Sequence, residues 1–213
     1  MRMLKCFVKT VLIICFCTNG FAQELPFYSM SNVAEFKTKM AETAIKTKTI
    51  ASEFVQKKHL SFMEEEIVSK GLFFKKENLV RWEYLTPHPY AIVINNNKIF
   101  VIDENGQNKL DARSSKVFKK INDMMMGFTQ GDLFDNNDFS INYLENNKRY
   151  LLELTPTAER MKKFLKRIDV SFDKTDYSVV KFKMLELSED YTTIDFFNKR
   201  INEDISAEKF RIN

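Results

Sequence analysis

Apolar and polar residues alternate along most of the chain, and this pattern is typical of antiparallel strands that bury one face. The alternation is clearest in the stretch from Gly71 to Asp103, GLFFKKENLVRWEYLTPHPYAIVINNNKIFVID. There Val80, Trp82 and Tyr84 alternate with two charged residues, so the three large side chains share a face. We therefore predict an antiparallel meander whose apolar face must be covered by a core, a helix or an apolar ligand.

Similar strand-like runs occur on both sides of this meander and are separated by turns with Asn, Asp and Gly. They cover residues 50–58, 67–75, 107–112, 139–144, 150–154, 164–172, 179–187 and 191–197. In one of them, Phe164 is expected on the same apolar face as Phe172. A long antiparallel sheet with one apolar face curls around that face and closes in part. The pattern therefore predicts a mainly β (α+β) fold, an unclosed antiparallel β-barrel or curled sheet in a single domain.

Two stretches have helical rather than alternating spacing. In the first, Ser31 is the expected N-cap, and Val33, Phe36 and Met40 lie on one side of the helix. An apolar stripe with charged residues around it is most often a helix that docks on a sheet. We predict that this helix covers part of the apolar face.

The second helical stretch, 116–128, contains three consecutive methionines followed by a glycine. Methionine is flexible and polarizable, and it suits surfaces that must fit variable apolar partners. Met124, Met125 and Phe128 are therefore candidates for adaptable apolar contacts. The alternative is ordinary core packing on a helix, which is the commoner role of clustered methionines.

The N-terminal segment has the features of a secretory signal peptide. Basic residues precede a short apolar run at 11–17, and a Gly-x-Ala sequence ends in a cleavage site after Ala22. The run is too short for a membrane-spanning helix, and an uncleaved anchor is the alternative. We predict a signal peptide at 1–22 and one domain at 23–213. All three cysteines lie in the signal peptide, so the mature domain would have no disulfide and no cysteine metal site.

The composition agrees with a globular β domain and argues against one class of partner. The 213 residues are 44% hydrophobic and include 20 Phe, which is enough for a packed core. Three of the 33 basic residues fall in the signal peptide. The basic residues of the domain outnumber its 29 acidic residues by one, so the domain is nearly neutral. A neutral surface provides no electrostatic reason to bind nucleic acid.

Residue patterns for catalysis are sparse. His59 and His88 are the only histidines, and neither has a second histidine at metal-ligand spacing. The sequence contains no phosphate-binding glycine loop, nucleophile elbow or paired-carboxylate motif. We therefore expect a binding role, with no metal, no cofactor and no enzymatic activity. An enzyme that acts on a lipid-like substrate is an alternative for which no residues can be assigned.

The central stretch resembles the signature of the LolA family, the periplasmic carriers of outer-membrane lipoproteins. That signature is a Gly, an aromatic-basic strand, an Arg/Trp-aromatic run, a Pro, an apolar strand and an Asn/Gly turn. Two flanking segments are also similar to the family, namely TIASEFVQK at 49–57 and YTTIDFFNK at 191–199. The resemblance covers nearly all of the chain after the signal peptide.

The resemblance implies an unclosed β-barrel in which helices form a lid over an apolar cavity. It also implies a monomeric carrier in the periplasm of a Gram-negative bacterium that binds the acyl chains of triacylated lipoproteins. Such a carrier receives its cargo from an inner-membrane ABC lipoprotein-release complex and passes it to an acceptor in the outer membrane. The alternative is a periplasmic module on the same fold that binds or senses another amphiphile.

Candidate site residues follow from the predicted inward faces and from the resemblance. The expected cavity wall consists of Phe54, Phe74, Val80, Trp82, Tyr84, Ile92, Ile94, Phe100 and Ile102. The expected lid residues are Met124, Met125 and Phe128. The alternative role of each wall residue is ordinary sheet core.

Lys76 is the expected lid latch. In the family an Arg that precedes a Pro at the lower rim of the barrel pins the lid, and the matching pair here is Lys76-Glu77. Lysine offers a point charge instead of a planar fork, so it would hold the backbone carbonyls of region 124–128 less firmly.

Overall fold

One antiparallel sheet of twelve strands makes up most of the computed structural model, which describes residues 25–95, 98–104, 106–109 and 138–212. The strands are β1 (Tyr28–Ser29), β2 (Thr49–His59), β3 (Ile67–Lys76), β4 (Leu79–Thr86), β5 (Tyr90–Asn95), β6 (Lys98–Asp103), β7 (Gly106–Lys109), β8 (Phe139–Glu145), β9 (Arg149–Pro156), β10 (Leu165–Asp173), β11 (Val179–Glu186) and β12 (Tyr191–Ile201). The helices are α1 (Val33–Lys46), α2 (Glu159–Lys162) and a 3₁₀ helix (Ala207–Phe210). No helix within the described ranges is long and apolar enough to cross a bilayer.

The order across the sheet is β1-β8-β9-β10-β11-β12-β2-β3-β4-β5-β6-β7. The last strand of the chain, β12, lies in the middle and pairs with β2, where Phe196 is opposite Phe54. Strands β1 and β7 are the two edges, and no pairing of described residues joins them. The prediction of a mainly β fold built on an unclosed antiparallel sheet is confirmed. The expected lid residues Met124, Met125 and Phe128 lie outside the described residues.

Most of the core lies on one side of the sheet, which we call the inner face. On β4, Val80, Trp82 and Tyr84 are buried on this side, and Val80 and Trp82 lie opposite Ile94 and Ile92 of β5. The sequence predicted this facing from strict alternation, and the structure confirms it for β4.

Helix α1 lies on the inner face and is anchored there by Phe36, which is buried. The Phe36 ring contacts those of Tyr150 and Phe172, with centroids 4.8 and 5.9 Å apart. Tilted and edge-on aromatic contacts of this kind add to the burial of apolar area. The predicted docking of this helix on the sheet is therefore confirmed.

The N-cap of α1 is Asn32 and not Ser31. The Asn32 side chain accepts a hydrogen bond from the backbone N–H of Glu35 at 3.0 Å and donates one to the Glu35 carboxylate at 3.1 Å. The backbone N–H of Ser31 instead donates to Glu145 Oε1 at 2.7 Å. Both residue types cap helices well, and the tertiary contact with Glu145 decides which of the two does so here.

Phe164 does not lie on the inner face as predicted, because it precedes β10 and is 43% exposed. Helix α2 occupies the chain just before it, and Leu165 takes the buried position. A register shift between Leu165 and Arg167 then lets both Leu165 and Ile168 face inward. A bulge of this kind interrupts the alternation from which the facing was predicted.

A second, smaller core lies on the opposite side of the sheet, which we call the outer face. The C-terminal segment packs there, with Ile205 and Phe210 buried against Ala51 and the partly buried Phe74 and Leu79. The sheet near β2, β3 and the start of β4 is therefore covered on both sides, and apolar residues there can face either side.

Candidate functional site

A cavity of about 70 Å³ lies between α1 and the inner face of the sheet. Helix α1 contributes Met40 and Ala44, and the sheet contributes Phe73, Val80 and Phe196 among others. The lining is mostly apolar. Its position under a helix that packs on the sheet makes this cavity the candidate functional site.

An aromatic cluster continues from the cavity wall into the core. Phe73 contacts Trp82 and Phe196 with ring centroids 4.7 and 5.9 Å apart. Trp82 contacts Phe54 at 5.2 Å, and Phe54 contacts Tyr84 at 5.1 Å. A group that enters the cavity and touches Phe73 is therefore one ring away from the single tryptophan.

Gly71 makes room for this cluster. A Cβ at this position would lie 2.2 Å from the carbonyl oxygen of Glu83 and 2.6 Å from the Phe54 ring. Because a backbone carbonyl in a paired strand cannot move aside, only glycine fits here. The glycine that starts the central stretch thus allows the Phe54 ring to lie against the backbone of β3.

Six of the nine expected wall residues face inward, and they are Phe54, Val80, Trp82, Tyr84, Ile92 and Ile94. Val80 lines the cavity, and the other five belong to the core beside it. Their contact with a ligand stays a prediction.

Phe74 faces outward, and its expected place on the wall is taken by Phe73. Phe74 lies opposite Ala51 and packs in the outer core, whereas Phe73 lies opposite Ser52 on the inner face. Phe73 and Phe74 are consecutive apolar residues, so the local pattern does not indicate which of them faces inward. In the structure Phe73 and Lys75 face inward, and the expected facing of Phe74 is wrong.

Phe100 and Ile102 also lie on the face opposite to the expected wall. Their cross-strand partners are Val93 and Ala91, whereas Val101 is opposite Ile92 on the inner face. Strand β6 has consecutive apolar residues, so the sequence contains no alternation that could indicate its facing.

Lys75 is the least expected residue of the cavity lining. It is only 5% exposed, and its neighbours on the adjacent strands are Ile50 and Val80. Burial lowers the pKa of its ammonium group, and within the described part of the chain no neighbouring charge contributes to that shift. No local sequence signal distinguishes Lys75 from a lysine that faces solvent.

Lys199 brings a second ammonium group to the cavity. Its Nζ lies 3.4 Å from Asp176 Oδ2 and also contacts the hydroxyl of Ser178. The Asp176 side chain is 41% exposed, so this ion pair lies at the edge of the cavity. The site therefore combines apolar walls with two amines, one of which is paired.

Lys76 lies on the outer face, and its role as the lid latch stays a prediction. Its Nζ donates to the carbonyl oxygen of Ile205 at 2.6 Å and lies 3.6 Å from Asp204. The expected partner region, 124–128, lies outside the described residues. Lys76 does hold a backbone carbonyl, but that carbonyl belongs to the C-terminal segment.

Glu145 ties the start of α1 to the sheet. Its carboxylate accepts hydrogen bonds from the Lys174 ammonium group and from the backbone N–H of Ser31. These two bonds lower the pKa of Glu145 from 4.5 to about 2. The carboxylate therefore stays charged and holds the first turn of α1 at any pH near neutrality.

Asn202 holds the other end of α1. Its side chain donates to the carbonyl oxygen of Lys46 at 2.9 Å and accepts from the backbone N–H of Lys48 at 2.8 Å. The backbone φ of Asn202 is +60°, a conformation that Asn adopts more readily than most residues. The turn after β12 thus fixes the point where α1 joins β2.

The described residues offer little for catalysis. Among them, no group of three or more His, Cys, Asp or Glu side chains could hold a metal ion. His59 stacks on the Tyr191 ring with centroids 4.7 Å apart and has a packing role. What the arrangement can do is enclose an apolar group beside an amine.

Comparisons with known proteins agree with this geometry. The sequence model of the family described as "Outer membrane lipoprotein carrier protein LolA" matches residues 45–213. No curated protein matches the chain.

A solved structure shows a similar fold at low sequence identity. A chain in the Pseudomonas aeruginosa MucA/MucB complex matches with a TM-score of 0.50 and 11% identity, over 84% of this chain and 60% of that chain. A LolA superfamily protein from Nitrosomonas europaea matches with a TM-score of 0.42 and 10% identity, over 82% and 97% of the two chains.

Proposed function

Because the chain belongs to the LolA family of outer membrane lipoprotein carrier proteins, we propose that it is an exported carrier that shields the acyl chains of lipoproteins from water. The observation that carries the proposal is the apolar cavity between α1 and the inner face of the sheet. In this proposal, residues 1–22 are removed on export and the domain acts in the periplasm. It takes triacylated lipoproteins from an inner-membrane ABC complex and passes them to an outer-membrane acceptor.

The energetics of acyl chains explain why such a carrier needs an enclosed apolar site. Each methylene group moved out of water contributes about 0.8 kcal/mol, so one chain of about sixteen carbons gains roughly 12 kcal/mol. Aliphatic and aromatic side chains on the inner face provide the apolar contacts. The binding site of the carrier must also release the cargo, which favours a cover that can open.

Helix α1 is the cover that we assign to this cavity. The cavity of about 70 Å³ is far smaller than the roughly 300–1,000 Å³ of typical ligand pockets. An acyl chain needs a larger cavity, which in this proposal forms when the helix moves away from the sheet. The N-terminal end of α1 is held by the hydrogen bond from Ser31 to Glu145, which water can replace when the helix moves, whereas the bonds of Asn202 keep the C-terminal end in place.

A release assay tests the proposed function. Membranes that contain a triacylated lipoprotein and its ABC release complex are incubated with ATP and the purified protein. We expect lipoprotein to appear in the soluble fraction as a complex with the protein. If the lipoprotein stays in the membrane while an established carrier releases it under the same conditions, the proposal is wrong.

Two adjacent phenylalanines provide matched variants for this assay. Phe73→Ser removes a ring from the cavity wall, and Phe74→Ser removes one from the outer core. Release should fall for the first variant and persist for the second, with circular dichroism confirming that both are folded. Equal loss in two folded variants would mean that the cavity is not the cargo site.

Native mass spectrometry of the purified protein distinguishes the carrier function from the alternative function. Bound lipid together with failure in the release assay would favour a periplasmic module that binds or senses another amphiphile on the same fold.

A further inference from the structure

Lys75 is a buried amine in an apolar wall, and the binding of acyl chains alone does not require an amine. Ile50 and Val80 are its neighbours on the adjacent strands, and both are apolar. Lysine on a strand usually extends its ammonium group into water. Here the side chain lines the cavity instead, so any group that enters the cavity meets this amine.

Two other lysines that are partly withdrawn from water, Lys76 and Lys174, have an oxygen partner. Lys76 donates to the carbonyl of Ile205, and Lys174 donates to Glu145. For Lys75, burial is the cause of its lowered pKa, and no carboxylate of the described residues offsets that burial. An ammonium group beside apolar side chains is stabilised by an oxygen partner, and an anion in the cavity would supply one.

Lys199 strengthens the preference of the cavity for a negative group. Its partner Asp176 is 41% exposed, so the carboxylate can turn to water and leave the ammonium to a ligand. The side chains of Lys75 and Lys199 line the same cavity. Because attraction between charges is stronger where water is excluded, two amines in an apolar lining favour an anion over a neutral polar group.

We propose that the cavity selects amphiphiles with a negatively charged head group, which is held by Lys75 with Lys199 as the second cation. The acyl chain then lies along the apolar wall formed by residues such as Phe73 and Val80. The selected chemistry is an anionic head, either a carboxylate or a phosphate, on an acyl chain. This inference rests on the proposed binding of acyl chains and adds selectivity for the head group.

Calorimetric titration of the whole mature domain with four probes tests the selectivity. Oleate and oleyl phosphate carry the two anionic heads, oleyl alcohol has the same chain with a neutral head, and acetate has a head without a long chain. We expect both anionic probes to bind at least about tenfold more tightly than the alcohol, because a charged partner for a buried amine makes a strong hydrogen bond. Acetate should not bind measurably, since the chain supplies most of the affinity.

Two lysines of β3 provide the matched variants. Lys75→Met removes the amine and keeps an unbranched apolar side chain of similar length, whereas Lys70→Met changes an exposed lysine on the same strand. Lys75→Met should lose the preference for oleate over oleyl alcohol and bind the alcohol at least as well as the wild type. Lys70→Met should keep the wild-type preference.

The outcomes separate the head-group inference from the proposed function. If the wild type binds oleate and oleyl alcohol equally, the carrier function stands and the selectivity is overturned. This wild-type comparison does not depend on the folding of any variant. A folded Lys75→Met protein that keeps the tenfold preference would also overturn the role of Lys75. If the wild type binds none of the long-chain probes, the binding of acyl chains fails and the selectivity fails with it.

Discussion

Replacing Glu145 with Gln tests whether a charged tether holds α1 on the sheet. The carboxylate is 6% exposed, and its bonds to Lys174 and to Ser31 lower its pKa from 4.5 to about 2. Since one pKa unit corresponds to about 1.4 kcal/mol, a shift of this size is worth roughly 3 kcal/mol at neutral pH. Glutamine keeps an acceptor for Ser31, so Glu145→Gln should lower the free energy of unfolding at pH 7 by about 2–3 kcal/mol. The corresponding loss in melting temperature is roughly 4–12 °C for a chain of this size.

The pH dependence identifies charge as the cause of this loss. The folded-state pKa of Glu145 lies below its unfolded value, so the stabilisation is complete above about pH 5 and disappears as the pH falls from 4.5 to about 2. Urea unfolding of the wild type and of Glu145→Gln should therefore differ at pH 7 and converge near pH 2.5. A difference that stays constant with pH would refute the reasoning, because it would indicate lost packing instead of lost charge.

A control and a functional readout complete the experiment. Glu65 is an exposed carboxylate in the loop between β2 and β3, and Glu65→Gln should change the unfolding free energy by less than about 0.5 kcal/mol. Glu145→Gln should also increase the rate at which bound oleate dissociates, because the start of α1 is less firmly held. Dissociation at the wild-type rate would mean that α1 does not open from this end.

Three further predictions concern other parts of the site. Gly71→Ala should lower the unfolding free energy by about 3 kcal/mol or more, because its Cβ would clash with the Glu83 carbonyl; a loss below about 1 kcal/mol in urea unfolding would contradict this. The emission of Trp82 should change saturably on addition of oleate, since Phe73 connects it to the cavity, and an unchanged spectrum would argue against cargo there. Lys76→Leu should destabilise the domain by about 1 kcal/mol in the same assay and leave cargo release unchanged, whereas slower release would support Lys76 as the latch.

The strands could be predicted from the sequence wherever one side of the sheet faces solvent and the other side faces the core. In β4, Arg81 and Glu83 mark the side away from the core, and their ion pair at 3.2 Å lies on the outer face as the alternation implies. On β11 and β12, Phe182 and Ile194 each lie between two polar residues in the sequence, and both are buried opposite each other. Where alternation is this regular, the polarity of each residue indicates whether it faces the core or solvent.

The side of the sheet that each residue faces could not be predicted where both sides are covered. The C-terminal segment buries the outer side of β3, so Phe74 is apolar there although it does not face the main core. The cavity on the inner side tolerates Lys75, so a charged residue no longer marks the wet side. Both exceptions depend on segments distant in sequence, and local alternation contains no information about them.

The connections of α1 indicate how the cavity can open without unfolding the sheet. Only two residues separate the end of α1 from the start of β2, and Asn202 bonds to the backbone on both sides of this junction. The C-terminal end of the helix is therefore a fixed hinge. The N-terminal end follows β1, which contributes only two residues to the sheet. It is held by the replaceable bond between Ser31 and Glu145 and by the buried Phe36 ring, which must leave its aromatic contacts when this end moves. Because the cavity is lined by the C-terminal half of α1, a head group bound there can remain near the hinge while the free end of the helix swings out to admit the acyl chain.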